Sequence, residues 1–143
     1  MRPPRRRFAE AAEAWTAAGW SGVLPLPVSR KESPPAGFTG ACGLEPDPSQ
    51  IRAWVTENAY RNAALRLPCG VIGLDVDTYG DKRGDRTLAR HVQAHGPLQP
   101  TWTIVNRQDG RSGTRLYRCA FEGPFRSSLD GGDVDLIHRG YRY

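Results

Sequence analysis

The stretch Gly70-Val71-Ile72-Gly73-Leu74-Asp75-Val76-Asp77 runs from apolar residues into two carboxylates two positions apart. Val71, Ile72, Leu74 and Val76 are the residue types that fill a strand buried on at least one face. Side chains alternate along a strand, so Asp75 and Asp77 emerge on the same face, ~7 Å apart along the chain. Two ionised carboxylates that close repel, and burying either one unpaired is costly. Two readings follow from the residues themselves. A divalent cation removes the repulsion, and hard oxygen donors suit Mg²⁺ or Mn²⁺, ions that commonly clamp phosphates. Alternatively, the strand runs out into a polar turn near Tyr79-Gly80 with both aspartates solvated.

A chain of 143 residues fits one domain and can bury a core. With 38% hydrophobic and 24% charged residues it reads as folded rather than disordered. No apolar run approaches the ~20 residues of a membrane helix. The basic N-terminus lacks the apolar core of a signal peptide. The expected location is therefore the cytoplasm, with no membrane partner. Cys42, Cys69 and Cys119 are odd in number and include no C-x-x-C, which argues against a disulfide framework and a zinc finger. Net charge is +5, and 18 of the 20 basic residues are arginine. Arginine suits bidentate phosphate contacts, although a GC-rich genome produces the same bias. The charge permits nucleic-acid binding without requiring it.

Residues 1–7 (MRPPRRR) read as a basic, disordered arm ahead of a domain over 8–143. Phe8, Ala11, Ala12, Trp15 and Ala18 share a helical face, with Gly19 as its stop. Residues 22–28 read as a strand whose prolines demote it to an edge or an irregular strand. Residues 29–47 form a long Ser-, Pro- and Gly-rich loop containing Arg30 and Lys31. Asp47-Pro48-Ser49 opens a second helix with Ile51, Trp54 and Val55 facing inward. A short strand over 62–67 then turns at Pro68-Cys69-Gly70 into the Asp75 strand. A third helix over 85–95 ends at Gly96-Pro97. Residues 102–105 and 114–121 pair as a hairpin with a long loop. Strands at 134–138 and from Tyr141 close the chain. The order predicts an α+β fold: a mixed, mainly antiparallel sheet with helices packed on it. No G-x-G-x-x-G follows a strand, and Walker A, H-E-x-x-H and G-x-S-x-G motifs are absent.

A third carboxylate helps to hold metal ions, and Asp135, flanked by Val134 and Leu136, has the setting of a strand residue facing a site. The alternative for Asp135 is a solvent-facing position on a half-exposed strand. A phosphate grip is available around Ser112-Gly113, where small residues let backbone N–H groups approach a triphosphate. Arg107, Arg111, Arg115 and Arg118 surround that pair. The plainer alternative is a solvated arginine-rich hairpin.

Taken together, these stretches resemble the N-terminal domain of bifunctional DNA primase/polymerases, the prim-pol branch of the archaeo-eukaryotic primase superfamily. The carrying pieces, in the family's order, are AAEAWTAAGWSGVLPL (11–26), KESPPAGFTG (31–40) and NAALRLPCGVIGLDVDTYG (62–80), followed by GPLQPTW (96–102), RQDGRSGTRLYR (107–118) and VDLIHRGYRY (134–143). The resemblance implies that Asp75, Asp77 and Asp135 bind two catalytic Mg²⁺ or Mn²⁺ ions. It maps nucleotide contacts to Ser112, Gly113 and Arg115, with Arg107 as a second phosphate contact and Lys31 and Arg66 as weaker candidates. The wider superfamily usually has histidine at the Arg115 position.

The implied activity is transfer of a nucleotide to a 3′-hydroxyl on a DNA template in DNA replication. The implied partners are primed DNA, nucleoside triphosphates and a helicase encoded elsewhere. The family's domain continues beyond Tyr143 with a further strand. The expectation is therefore a C-terminally incomplete domain, with the sheet edge beside Asp135 left open and catalysis in doubt. Two rival readings remain: a non-catalytic nucleotide- or nucleic-acid-binding remnant, and a metal-dependent nuclease.

Overall fold

A computed structural model describes residues 5–40, 42–105, 110–121 and 123–138 and the backbone of 141–142. In chain order the elements are α1 (Arg7–Ala17), β1 (Val23–Leu26), α2 (Pro48–Asn58), β2 (Asn62–Arg66), β3 (Val71–Val76), α3 (Gly84–His95), β4 (Thr103–Ile104), β5 (Gly113–Arg118), β6 (Val134–His138) and β7 (Tyr141–Arg142). The class is α+β. The strands form two sheets, β1-β2-β7 and β4-β5-β3-β6, and every pairing is antiparallel. The chain divides into two compact units, Met1–Pro68 with Arg139–Tyr143, and Cys69–His138. No helix among the described residues is long and apolar enough to cross a membrane.

In the first unit, α1 buries Phe8 and Ala12. Of the expected 1–7 arm, residues 1–4 lie outside the described residues, and Arg7 already opens the helix. Gly19 follows the helix at φ +86°, a left-handed turn that suits glycine. In α2, Asp47 Oδ1 accepts from the backbone N–H of Ser49 (2.8 Å) and Gln50 (2.9 Å), and Pro48 fills the first turn, where no N–H is needed. The Ser49 hydroxyl and these amides hold the Asp47 carboxyl below its ordinary value. β1 carries Pro25 and is an edge strand, paired only with β2 among the described residues. Phe8, Ala12, Val23, Leu24, Leu26, Ile51, Trp54, Ala64 and Leu65 form the core. From the long loop, Phe38 meets Trp54 edge-on at 4.9 Å and fastens the loop to that core.

The second unit is built around β3, which pairs with β5 on one side and β6 on the other. Its even-numbered residues Leu74 and Val76 pack with Val134, Leu136 and, from α3, Leu88. The outer side of β6 is not left open. Leu136 N–H bonds Ser127 O at 2.8 Å, Leu129 N–H bonds Val134 O at 2.9 Å, and Ser128 bridges Asp135, so residues 127–129 cover that edge.

The chain leaving β3 is held tightly. Asp77 N–H donates to Asp133 O (2.9 Å), and Asp77 O accepts from Gly84 N–H (2.8 Å). Asp133 Oδ2 also accepts from Arg83 N–H at the start of α3. A Cβ on Gly84 would lie 2.3 Å from Asp133 O and 2.7 Å from Asp77 O, so only glycine allows this approach. Gly84→Ala is expected to lower the unfolding free energy by about 2 kcal/mol. Urea denaturation checks this, and an unchanged midpoint contradicts it.

Candidate functional site

Cross-strand register decides which side chains share a face, because directly opposed residues of antiparallel strands point the same way. Asp75 lies opposite Thr114 of β5 and Asp135 of β6. The three side chains form one row, with neighbouring Cβ atoms about 5 Å apart. Like charges directly opposed are unfavourable. Thr114 Oγ1 donates to Asp75 Oδ1 at 2.6 Å, which places a donor against one of the two carboxylates. Thr114 is fully buried, Asp75 half-buried and Asp135 exposed. The Asp135 carboxylate has no hydrogen-bond or ion-pair partner among the described residues. Both side chains present carboxylate oxygens, the donor type suited to a hard divalent ion.

Asp77 follows β3 and is differently engaged. Its Oδ2 forms an ion pair with Lys82 Nζ and lies 3.5 Å from the Tyr79 hydroxyl. The Lys82 ammonium also lies 4.9 Å over the Tyr79 ring. This grip, chiefly the hydrogen bond to Asp77, raises the Lys82 ammonium above its ordinary value of 10.5. Among the described residues no three His, Cys, Asp or Glu groups gather closely enough to hold a metal ion. The donor types fit Mg²⁺ or Mn²⁺. Asp75 and Asp135 are brought together, while the third carboxylate has an ammonium in the place of a cation.

The remaining expected site residues have distinct settings. Ser112 is buried, and its Oγ accepts from Thr78 N–H (3.1 Å) and bonds the Thr78 hydroxyl (2.8 Å), tying the start of β5 to the turn after Asp77. Gly113 lies opposite Val76, and a Cβ there would sit 2.9 Å from Ile104 O, so its small size serves the close approach of β4. Arg115 lies opposite Leu74, on the face that packs toward α3 and away from Asp75. Its Nη1 is buried with no hydrogen-bond partner among the described residues. Arg118, opposite Val71, shares the parity of Thr114 and lies on the aspartate face. Arg107 lies outside the described residues. Arg66 is buried in the first unit, where Nη2 donates to Gly43 O (2.7 Å) and Nη1 pairs with Glu45 (3.6 Å), so it braces a loop.

Thr114 and Lys82 are the residues that sequence reasoning missed. Thr114 sits one position before Arg115, and only the register distinguishes the two. Lys82 had a signal in the sequence: it is the one lysine within a few residues of the D-x-D pair, past a turn at Gly80.

Fold and face together define an α+β domain with paired carboxylates on one face of an antiparallel sheet. The sequence matches, over residues 11–143, the family described as bifunctional DNA primase/polymerase, N-terminal, and the chain belongs to that family. It is a primase/polymerase-type domain. No curated protein and no solved structure is detectably similar to it.

Thr114→Val keeps the shape and removes the donor to Asp75, so a loss of about 1.5 kcal/mol in unfolding free energy is expected, read by chemical denaturation. The Lys82–Asp77 pair gives a pH-dependent test. A lysine whose value is raised on folding contributes fully below its unfolded value, 10.5, and loses that contribution as pH rises through the folded one. The pair is partly exposed, so wild type should exceed Lys82→Met by only about half a kcal/mol near neutral pH. The difference should narrow above pH 10.5. A gap independent of pH up to the alkaline limit of folding contradicts this.

Proposed function

We propose that this domain is a template-directed nucleotidyltransferase of the primase/polymerase kind, transferring a nucleotide from a nucleoside triphosphate to a 3′-hydroxyl on DNA during replication, in the cytoplasm. The observation that carries the reading is the Asp75–Asp135 cross-strand pair in a member of this family. Asp75, Asp135 and Asp77 would hold Mg²⁺ or Mn²⁺. Bound there, the ions supply charge neutralisation for the triphosphate and a lowered pKa for the attacking hydroxyl. Thr114 orients the Asp75 carboxylate by donating to Oδ1. The backbone bonds at Asp77 N–H and O fix the third carboxylate's starting point. No covalent intermediate on the protein is required, and no histidine is needed as a base. Arg118, on the aspartate face, is the hairpin cation best placed to meet a polyanion.

A second reading is favoured by one observation. With Asp77 paired to Lys82, the carboxylate set is incomplete as it stands. This suits a domain that binds nucleotide or nucleic acid without turnover.

Primer extension with Mn²⁺ or Mg²⁺ on a primed template separates the two. The proposal expects metal-dependent incorporation that drops to background in Asp75→Asn and in Asp135→Asn, with folding retained. Salt-sensitive nucleic-acid binding without incorporation by the wild-type chain supports the second reading instead.

A further inference from the structure

We propose that Trp102 is a stacking platform for a base of single-stranded DNA crossing the aspartate face, and that Arg118 takes a phosphate of the same strand. The inference rests on the nucleotidyltransferase reading above, in which that strand is the template. It assigns two strand contacts outside the carboxylate row.

Strand register places the ring. Ile104 of β4 lies opposite Thr114, which lies opposite Asp75, so Ile104 belongs to the aspartate face. Leu116 N–H donates to Trp102 O at 3.0 Å, which continues the β4–β5 ladder one step before Thr103. Trp102 is two residues from Ile104 and therefore shares that face. Tryptophan is highly buried on average, yet Trp102 is 81% exposed. Among the described residues its ring meets no other ring and no cation, and its indole N–H has no hydrogen-bond partner. The backbone beneath the ring is anchored, by the bond from Leu116 N–H and by the Thr101 hydroxyl, which donates to Leu116 O. An unengaged ring on a fixed backbone binds a flat partner with little loss of chain freedom.

The surroundings of the ring select the partner. Arg118 is exposed, lies on the same face of the adjacent strand and forms no ion pair among the described residues. It stands diagonal to Trp102, with Cβ atoms ~7–8 Å apart. One nucleotide can thus lay its base on the indole and its phosphate on the guanidinium. A protein partner would need an apolar patch around the ring. The neighbouring exposed Val105 alternates to the other face, and Arg118 and Asp135 are the exposed polar groups on this one. Distance separates a strand from a lone nucleotide. Trp102 is two strands across from Asp75 and two residues along, a separation of ~12 Å. Stacked bases of one strand are ~3.4 Å apart, so the ring meets a base about three steps from the reacting one. Every base has a π-face, which suits a strand held whatever its sequence.

The test measures binding by the full chain of fluorescein-labelled oligothymidylate, of an abasic oligomer of the same length, and of thymidine triphosphate. Wild type is compared with Trp102→Ala, Trp102→Phe and Arg118→Gln, each checked for an unchanged urea midpoint. Trp102→Ala should bind oligothymidylate roughly tenfold more weakly, and Trp102→Phe, which keeps a ring, should recover most of that loss. The abasic oligomer and thymidine triphosphate should bind Trp102→Ala as they bind wild type. Arg118→Gln should flatten the slope of log affinity against log salt by about 0.7, a change absent from Trp102→Ala.

Equal binding of oligothymidylate by wild type and Trp102→Ala overturns the inference. So does an equal loss on the abasic oligomer, which would make the effect structural. A loss confined to thymidine triphosphate also overturns it, because the ring would then serve the incoming nucleotide. Primer extension run beside these measurements separates the inference from the reading beneath it. A wild-type chain that extends primers but binds the strand without using Trp102 overturns the inference alone. Strand binding through Trp102 by a chain that extends no primer overturns the nucleotidyltransferase reading alone. A wild-type chain that binds no single-stranded DNA overturns both.

Discussion

The register of β3 between β5 and β6 is the constraint on which the candidate site depends. It sets Asp75 opposite Asp135 and gives Asp75 a hydroxyl donor from Thr114. An arrangement with two carboxylates facing across adjacent strands does not serve stability, because like charges directly opposed raise the free energy of the sheet. The other face meets the cost of folding, through Leu74, Val76, Val134 and Leu136 packed against Leu88 of α3. The two faces of one strand thus divide the work. A slip of one residue would exchange them and bury the acids in the apolar layer.

The turn that follows β3 extends this logic beyond the sheet. Gly84 approaches the backbone so closely that Asp77 and Asp133 are bonded to each other and to the start of α3. Ser112 joins the same turn from the β5 side through Thr78. The position of Asp77 is therefore a property of the backbone, while its partner, Lys82, is a partly exposed side chain.

Much of this was legible in the sequence. The first and third helices begin and end, and the second begins, within about one residue of where apolar spacing, Asp47-Pro48 and the glycines at 19 and 96 place them. The edge position of β1 follows from Pro25. The apolar neighbours Val134 and Leu136 left Asp135 open between a site-facing and a solvent-facing position, and only the strand register sets it opposite Asp75. Parity along β5 was not readable. Thr114 and Arg115 alternate, and a hairpin with a long loop does not fix which of the two pairs with Asp75. Arg115 consequently points toward α3, although the family's pattern led to it as a nucleotide contact. The covering of the β6 edge was also hidden, because residues 127–129 carry no strand-like run, and their backbone bonds arise from the turn at Gly131-Gly132. Nor does the division into two units leave a linker-like composition that marks it.

The central claim is that the Asp75–Asp135 face binds a divalent cation. The most direct measurement is a Mn²⁺ titration of isotope-labelled protein followed by paramagnetic broadening of backbone amide signals. The account predicts that the amides of Asp75, Thr114 and Asp135 broaden first, at sub-stoichiometric metal, and that Asp135→Asn abolishes the effect. Broadening centred elsewhere, or spread evenly over exposed acids, would contradict it.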